Sequence, residues 1–188
     1  MNRLTELANK YNCDKGTLAY EAHGYTEEYG KIIPETGKYD LFEIGIWHGD
    51  SLRMWYEYNP ELDITGIDID AGVLNFVTWE NKNLRVNIGN AADPAYINAE
   101  FRDFRYDFIV DDGSHNYDDI VASFKALYPL LKEGGYYFIE DLHAPQAQIG
   151  KLFREMFYIH QGITAEGAMS YFKKYQILCD DKLLIIQK

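Results

Sequence analysis

The sequence predicts an α/β fold: an open, mostly parallel sheet with helices on both faces and one antiparallel strand in a C-terminal hairpin. Five short runs rich in Ile, Val, Phe and Leu have the composition of parallel strands that are buried on both faces. Helical stretches alternate with these runs, which is typical of a doubly wound sheet. The chain ends on two apolar runs around Asp180, Asp181 and Lys182, which indicate the hairpin.

The predicted strands are residues 39–46, 62–69, 83–88, 106–111 and 136–140. Helices are expected after the first three strands, and their ranges are 50–58, 71–80 and 93–101. Pro94 suits the first turn of the third of these helices.

A longer helix is predicted within residues 116–135, between the fourth and fifth strands. Its apolar residues recur at intervals of four and three and therefore form one helix face; they are Ile120, Phe124, Leu127 and Leu131. The pair Gly134-Gly135 is expected to end this helix.

Length and charge limit the function classes. A chain of 188 residues suits one domain, with a helical cap segment at 1–35 and a ligand-binding core at 36–188. The formal charge of -12 disfavours nucleic acid and anionic membranes as partners and favours a small-molecule or glycan substrate. The sequence contains neither a signal peptide nor an apolar run of the roughly 20 residues that a membrane span needs, so a cytoplasmic location is expected.

The first strand runs into the glycine-containing turn EIGIWHGDS. Gly45 and Gly49 allow the backbone to turn tightly and to approach a ligand. The helix that follows, which includes Ser51, offers unpaired backbone N–H groups at its N-terminus. The turn lacks the GxGxxG spacing, so a dinucleotide is disfavoured.

Polar residues also follow the second and third strands, where ligands bind in open α/β sheets. Asp68 ends the second strand in a position to accept hydrogen bonds from ribose hydroxyls, and Ile69 follows it as a cover for an adenine face. Asn90, after the third strand, is placed to meet an adenine edge. The glycine turn, the acid and the amide together predict a nucleoside-type ligand.

The fourth and fifth strands each end in two adjacent carboxylates with a histidine close behind, in DDGSH and EDLH. The residues are Asp111, Asp112, His115, Glu140, Asp141 and His143. If the two strands are neighbours, the four carboxylates converge, and like charges so close raise one another's pKa or recruit a cation. Oxygen ligands favour Mg²⁺ first and Mn²⁺ or Ca²⁺ after it. Strand-end acids that cap helices and face water remain the alternative.

Taken together, FEIGIWHGDS, GIDID, GNAADP, FIVDDGSHNYDD and LLKEGGYYFIEDLH resemble class I S-adenosylmethionine-dependent methyltransferases, which have a Rossmann-like sheet. Within that class the chain is similar to the metal-dependent sugar O-methyltransferases of macrolide biosynthesis (mycinamicin and macrocin type) and to their cephalosporin-hydroxylase-like relatives. The early YNCDKGT and HGYTEEYG are similar to a segment that precedes the core in this group. The resemblance extends from about residue 11 to the C-terminus.

This resemblance implies an O-methyltransferase that uses S-adenosylmethionine and Mg²⁺, or another divalent cation, on a hydroxyl of a sugar, a glycosylated metabolite or a polysaccharide unit. Asp112, Glu140 and Asp141 match the family's metal ligands, His115 matches its general base, and His143 is a competing base. The predicted cofactor contacts are Glu43, Gly45, Gly49, Ser51, Asp68, Ile69, Asn90 and Asp111.

Other functions stay open at the level of sequence. Asn90 stands where the family usually has an acid, and no long insertion forms a lid, so a catalytically degenerate binding or partner protein is one alternative. The acceptor pocket is either open or completed by the N-terminal segment or by a second subunit, which leaves a homo-oligomer open. A hydroxylase-like relative is disfavoured because no two-histidine, one-carboxylate set is evident.

Overall fold

The computed structural model describes residues 1–79, 82–142, 174–178 and 182–188. The chain divides into two compact units, Met1–Gly89 and Asn90–Lys188. The division into a cap at 1–35 and a core at 36–188 stays a prediction.

The first unit is built on three parallel strands in the order β3-β2-β1. The strands are β1 (Asp40–Ile44), β2 (Asp63–Asp68) and β3 (Leu84–Ile88). The helices of this unit are α1 (Arg3–Lys10), α2 (Thr26–Tyr29), α3 (Asp50–Tyr58) and a 3₁₀ helix at Ala71–Asn75. In the parallel register Glu43 pairs with Gly66, and the ends of β1 and β2 therefore lie side by side. This places the residues after β1 next to those after β2.

In the second unit the strand order is β4-β5-β7-β6. The strands are β4 (Tyr106–Asp111), β5 (Leu131–Ile139), β6 (Lys174–Leu178) and β7 (Leu183–Gln187). β4 and β5 are parallel, whereas β7 is antiparallel to both β5 and β6. The predicted C-terminal hairpin with one antiparallel strand is therefore confirmed. The ends of β4 and β5 lie side by side, as the metal-site prediction required.

The helices of the second unit are α4 (Pro94–Phe101), α5 (Tyr117–Leu127) and a 3₁₀ helix at Tyr128–Leu130. Pro94 occupies the first turn of α4, as predicted, and the Asp93 side chain caps that helix by accepting a hydrogen bond from the amide of Ala95 at 2.9 Å. Among the described residues, none of the helices combines the length and apolar character that a membrane crossing requires.

Two predicted helix boundaries are wrong. The helix expected at 71–80 is a 3₁₀ helix that ends at Asn75, because the β-branched pair Val77-Thr78 favours helix formation only weakly. The helix before β5 ends at Leu127 rather than near Gly134. Pro129 lacks the amide hydrogen that would continue the helix, so the chain passes through one 3₁₀ turn into a strand that begins at Leu131.

Candidate active site

The turn between β1 and α3 adopts backbone conformations that favour glycine. Gly45 has φ 86° and Gly49 has φ 75°, and Trp47 between them also lies in the left-handed region, with φ 44°. A Cβ on Gly49 would lie 2.9 Å from Val77 Cγ2 and 3.1 Å from the ring of Trp79. The turn therefore needs glycine at residue 49 for both conformation and space.

Asp68 holds this turn in place. Its Oδ2 accepts hydrogen bonds from the backbone amides of Ile46 at 2.8 Å and Trp47 at 3.1 Å. Its Oδ1 accepts one from the amide of Asp70 at 2.9 Å. The carboxylate is thus an internal brace that joins the end of β2 to the turn after β1, a role that the sequence did not reveal. The predicted ribose contact of Asp68 stays a prediction.

Apolar side chains are exposed beside the turn. Ile69, the predicted adenine cover, is 73% exposed, and Trp47 is 69% exposed. The His48 ring stacks on the Trp47 ring with centroids 4.1 Å apart, and the Phe76 ring packs against His48 with centroids 4.5 Å apart. This aromatic group was not predicted. The adjacent aromatic residues Trp47 and His48 inside the glycine turn were the feature of the sequence that indicated it.

Three other predicted cofactor residues have different surroundings. Glu43, in β1, is completely buried, and its Oε1 lies 3.7 Å from Lys15 Nζ. Ser51 is buried in the first turn of α3. Asn90 is exposed in the second unit, where its Oδ1 accepts a hydrogen bond from the amide of Ala92 at 2.9 Å. That contact closes an Asx turn, and the cofactor roles of these residues stay predictions.

Asp111, the last residue of β4, has its carboxylate inside the second unit. Ser123 Oγ and the Tyr137 hydroxyl both donate to its Oδ2, the latter at 3.4 Å. Burial raises the pKa of Asp111 to about 6, although the hydrogen bond from Ser123 opposes that rise. The carboxylate therefore joins β4 to α5 and β5, and its predicted contact with the cofactor stays a prediction.

The strand-end acids of the second unit do converge with a histidine. Ligand atoms of Asp112, His115 and Asp141 all lie within 4.8 Å of one another. His115 Nε2 lies 4.0 Å from Asp112 Oδ1 and 3.8 Å from Asp141 Oδ2. Glu140, a predicted ligand, is buried and is not one of these three side chains, whereas His115, the predicted base, is.

Backbone conformation marks the same place. His115 has φ 57° and Asp141 has φ 51°, so two of the three clustered residues are non-glycine residues in the left-handed region. Such conformations cost about 1–3 kcal/mol each and persist where the surrounding structure dictates them. His143, the competing base, lies outside the described residues.

Comparison with known proteins assigns the family. A family model described as a methyltransferase domain matches residues 42–142, which run from β1 to the residue after Asp141. The chain belongs to this methyltransferase-domain family. The matched range contains the glycine turn, the Asp68 brace and the acid–histidine cluster.

This methyltransferase domain is 33% identical over 150 residues to demethylmacrocin O-methyltransferase of Streptomyces fradiae, a match that covers 74% of the chain and 36% of the relative. It is 31% identical, with the same coverage, to mycinamicin VI 2''-O-methyltransferase of Micromonospora griseorubida. The chain thus spans about a third of the length of these relatives. The predicted resemblance to macrolide-sugar O-methyltransferases is confirmed.

Solved structures confirm the predicted Rossmann-like methyltransferase fold. The MycE methyltransferase of the mycinamycin pathway, in complex with Mg and SAH, matches with a TM-score of 0.70 and 23% identity over 100% of this chain and 55% of that one. The fibrillarin pre-rRNA processing protein of Methanococcus jannaschii matches with a TM-score of 0.61 and 17% identity over 94% of this chain and 76% of that one. At these identities the likeness concerns the fold.

Proposed function

We propose that this methyltransferase domain transfers a methyl group from S-adenosylmethionine to a sugar hydroxyl of a glycosylated metabolite or polysaccharide unit, with Mg²⁺ or another divalent cation. The observation that carries the proposal is the cluster of Asp112, His115 and Asp141 in a chain of this family. Relatives that are named as O-methyltransferases of macrolide and rhamnosyl-tetracenomycin compounds support a sugar acceptor. A MycE structure in complex with Mg, SAH and mycinamycin VI supports the same ligand classes.

The residues of the cluster suit a divalent cation. Asp112 and Asp141 present carboxylate oxygens, which are the preferred donors for Mg²⁺ and Mn²⁺. We assign these two acids as metal ligands and retain Glu140 as a third candidate on the strength of the resemblance alone. When bound, the cation would lower the pKa of an acceptor hydroxyl and orient it.

His115 is the proposed general base. Its side chain is half-buried and therefore open to an acceptor, and its Nε2 faces the two carboxylates. The imidazole would take the proton that the acceptor hydroxyl loses. S-adenosylmethionine supplies the electrophilic methyl group, and S-adenosylhomocysteine remains after the transfer. His143 remains the alternative base.

The first unit supplies most of the proposed cofactor contacts. Gly45 and Gly49 allow close approach of the ligand, and the turn ends at the N-terminus of α3. Asp68 would add hydrogen bonds to ribose hydroxyls beyond those it makes to the turn, and exposed Ile69 would cover the adenine. Glu43, Ser51, Asn90 and Asp111 are assigned to the cofactor by resemblance alone. A cytoplasmic location and the absence of nucleic-acid and membrane partners complete the proposal, and a homo-oligomer stays open.

The test is calorimetric titration with S-adenosylhomocysteine and with Mg²⁺. Wild type should bind both, while Asp112→Asn and Asp141→Asn should lose at least about ten-fold in Mg²⁺ affinity and keep the nucleoside. Asp103→Asn is the matched control, because Asp103 is an exposed acid of the same unit that pairs with Arg102 at 3.6 Å. Binding of the nucleoside without the metal would favour a metal-free or degenerate protein. Binding of neither ligand would contradict the catalytic proposal and favour a partner-protein role.

A second variant separates the two roles that the geometry allows His115. If the imidazole is the base, His115→Ala should keep Mg²⁺ affinity and lose methyl transfer to a panel of vicinal-diol sugars. If the imidazole is a metal ligand, Mg²⁺ affinity should fall with activity. The second result would move the base to another residue, with His143 as the next variant to make.

A further inference from the structure

The first unit contains an ion pair that lies almost wholly out of contact with water. Lys15 Nζ lies 3.7 Å from Glu43 Oε1, and the two side chains are 1% and 0% exposed. Lys15 belongs to the segment between α1 and α2, whereas Glu43 lies in β1, two residues before Gly45 of the glycine turn. The pair therefore joins the N-terminal segment to the strand that leads into the candidate cofactor site.

Stability alone is a weak reason for such a pair. Removing two charges from water costs several kcal/mol per ion, and an apolar pair of similar size is often equally stable or more so. By contrast, loss of one partner leaves a buried charge without compensation and is strongly destabilising. A buried pair beside a ligand-binding turn is thus better explained by what it positions.

Backbone hydrogen bonds hold Lys15 rigidly. Its carbonyl accepts a hydrogen bond from the amide of Thr26 at 3.0 Å, at the start of α2. On either side, the amide of His23 donates to the Asp14 carbonyl at 2.8 Å, and that of Gly24 donates to the Gly16 carbonyl at 2.7 Å. The ammonium group is therefore presented to β1 from a braced segment.

We propose that Lys15 is a positioning residue for cofactor binding: its ammonium group holds the Glu43 carboxylate in place beneath the turn that begins at Gly45. The inference rests on the proposed function, since the ligand is S-adenosylmethionine or its product. It also gives the segment from Asn12 to Tyr25 a part in that function, because this segment carries the ammonium group to β1. Lys15 acts through Glu43 and does not need to touch the ligand.

The experiment is a double-mutant cycle in the full chain, with urea unfolding and S-adenosylhomocysteine titration as separate measurements. The variants are Lys15→Met, Glu43→Gln and the double variant. Lys31→Met is the matched control, because Lys31 forms an exposed ion pair with Glu28 at 2.8 Å in the same unit. The control should match wild type in both measurements.

We expect Lys15→Met and Glu43→Gln each to lower S-adenosylhomocysteine affinity by about ten-fold, which is about 1.4 kcal/mol. The double variant should recover stability relative to Lys15→Met, because it no longer buries a carboxylate that has lost its ammonium partner. Its affinity should stay as low as that of either single variant. The double variant would then regain stability without regaining affinity for S-adenosylhomocysteine, whereas a merely structural role would restore both together.

Two results would overturn the inference. One is wild-type affinity in Lys15→Met, and the other is recovery of affinity together with stability in the double variant. If Lys15→Met does not fold, Glu43→Gln and the double variant still decide the question, since wild-type affinity in either contradicts the proposal. Failure of the wild type itself to bind S-adenosylhomocysteine would instead overturn the proposed function, and this inference with it.

Discussion

Gly49 offers a sharp test of the glycine turn because the chain contains a natural control for it. Gly49 has φ 75° and is crowded, since a Cβ at this residue would lie within 3.1 Å of both Val77 and Trp79. Gly24, in the same unit, has φ 74° and open space where its Cβ would lie. Substitution by Ala at the two sites therefore imposes the same backbone conformation and differs only in steric contact.

The expected magnitudes follow from these two contributions. A non-glycine residue in the left-handed region costs about 1–2 kcal/mol, and this is the whole expected loss of unfolding free energy for Gly24→Ala. Gly49→Ala adds a side-chain collision, and forcing an extra carbon into a packed site costs about 1–3 kcal/mol more. The loss at Gly49 should therefore be about 2–5 kcal/mol.

Urea unfolding followed by circular dichroism measures both losses, and calorimetry measures the affinity for S-adenosylhomocysteine. Gly49→Ala should also weaken nucleoside binding, because the turn must move to relieve the contact with Val77 and Trp79, and it should do so more than Gly24→Ala. Equal destabilisation by the two substitutions would refute the steric argument. Unchanged nucleoside affinity in Gly49→Ala would refute the placement of the ligand at this turn.

Three further predictions concern polar groups. Asp68→Ala removes the acceptor of three backbone amides. The unfolding free energy measured by urea titration should therefore fall by about 2–4 kcal/mol, and nucleoside affinity should fall with it. Intact stability would show that the brace is dispensable. Burial raises the pKa of the Cys13 thiol, so in a Cys179→Ser background a thiol reagent should label the protein only at the rate of unfolding, and fast labelling would contradict this burial. Ser123→Ala removes a hydrogen bond to the Asp111 carboxylate and, in the presence of a chelator, should cost about 1.5–3 kcal/mol at about pH 8. The pKa of Asp111 rises from 3.8 to about 6 on folding, so this carboxyl favours folding below about pH 4 and the benefit is lost as the pH rises through 6. At about pH 5 the folded protein holds Asp111 mostly protonated, and Ser123→Ala should therefore cost less there than at about pH 8. An equal cost at both pH values would contradict the assignment.

Most strands could be predicted from apolar composition, which reflects the burial of β1, β4 and β7, whereas β3 is only partly buried and does not meet the expectation of burial on both faces. The predicted strand at 106–111 is β4 in full, and the hairpin at the C-terminus has the predicted antiparallel pairing. The helix ends were harder, since local features compete with apolar periodicity there. Leu131 continues the apolar spacing of α5, yet it begins β5, because Pro129 had already ended the helix.

The candidate site was predictable as a place but not as a set of side chains. Successive residues of an extended chain point to opposite sides, so two adjacent acids on a strand face different surroundings. Asp111 accordingly contacts Ser123 and Tyr137 in the interior, while Asp112 joins the cluster with His115. Such directions depend on backbone angles that composition does not record. The Lys15–Glu43 pair depends on a contact between distant segments and had no local signal.

The Asp68 brace has a consequence for which cofactors the turn can accept. Backbone amides after a first strand are the groups that cradle phosphates in many nucleotide-binding proteins. Here the amides of Ile46 and Trp47 donate inward to a carboxylate. A pyrophosphate would meet no free donor at these two positions and would be repelled by the negative charge behind them. The Asp68 brace therefore removes two of the turn's amides from the donors that a phosphate could use, and it places a negative charge behind them.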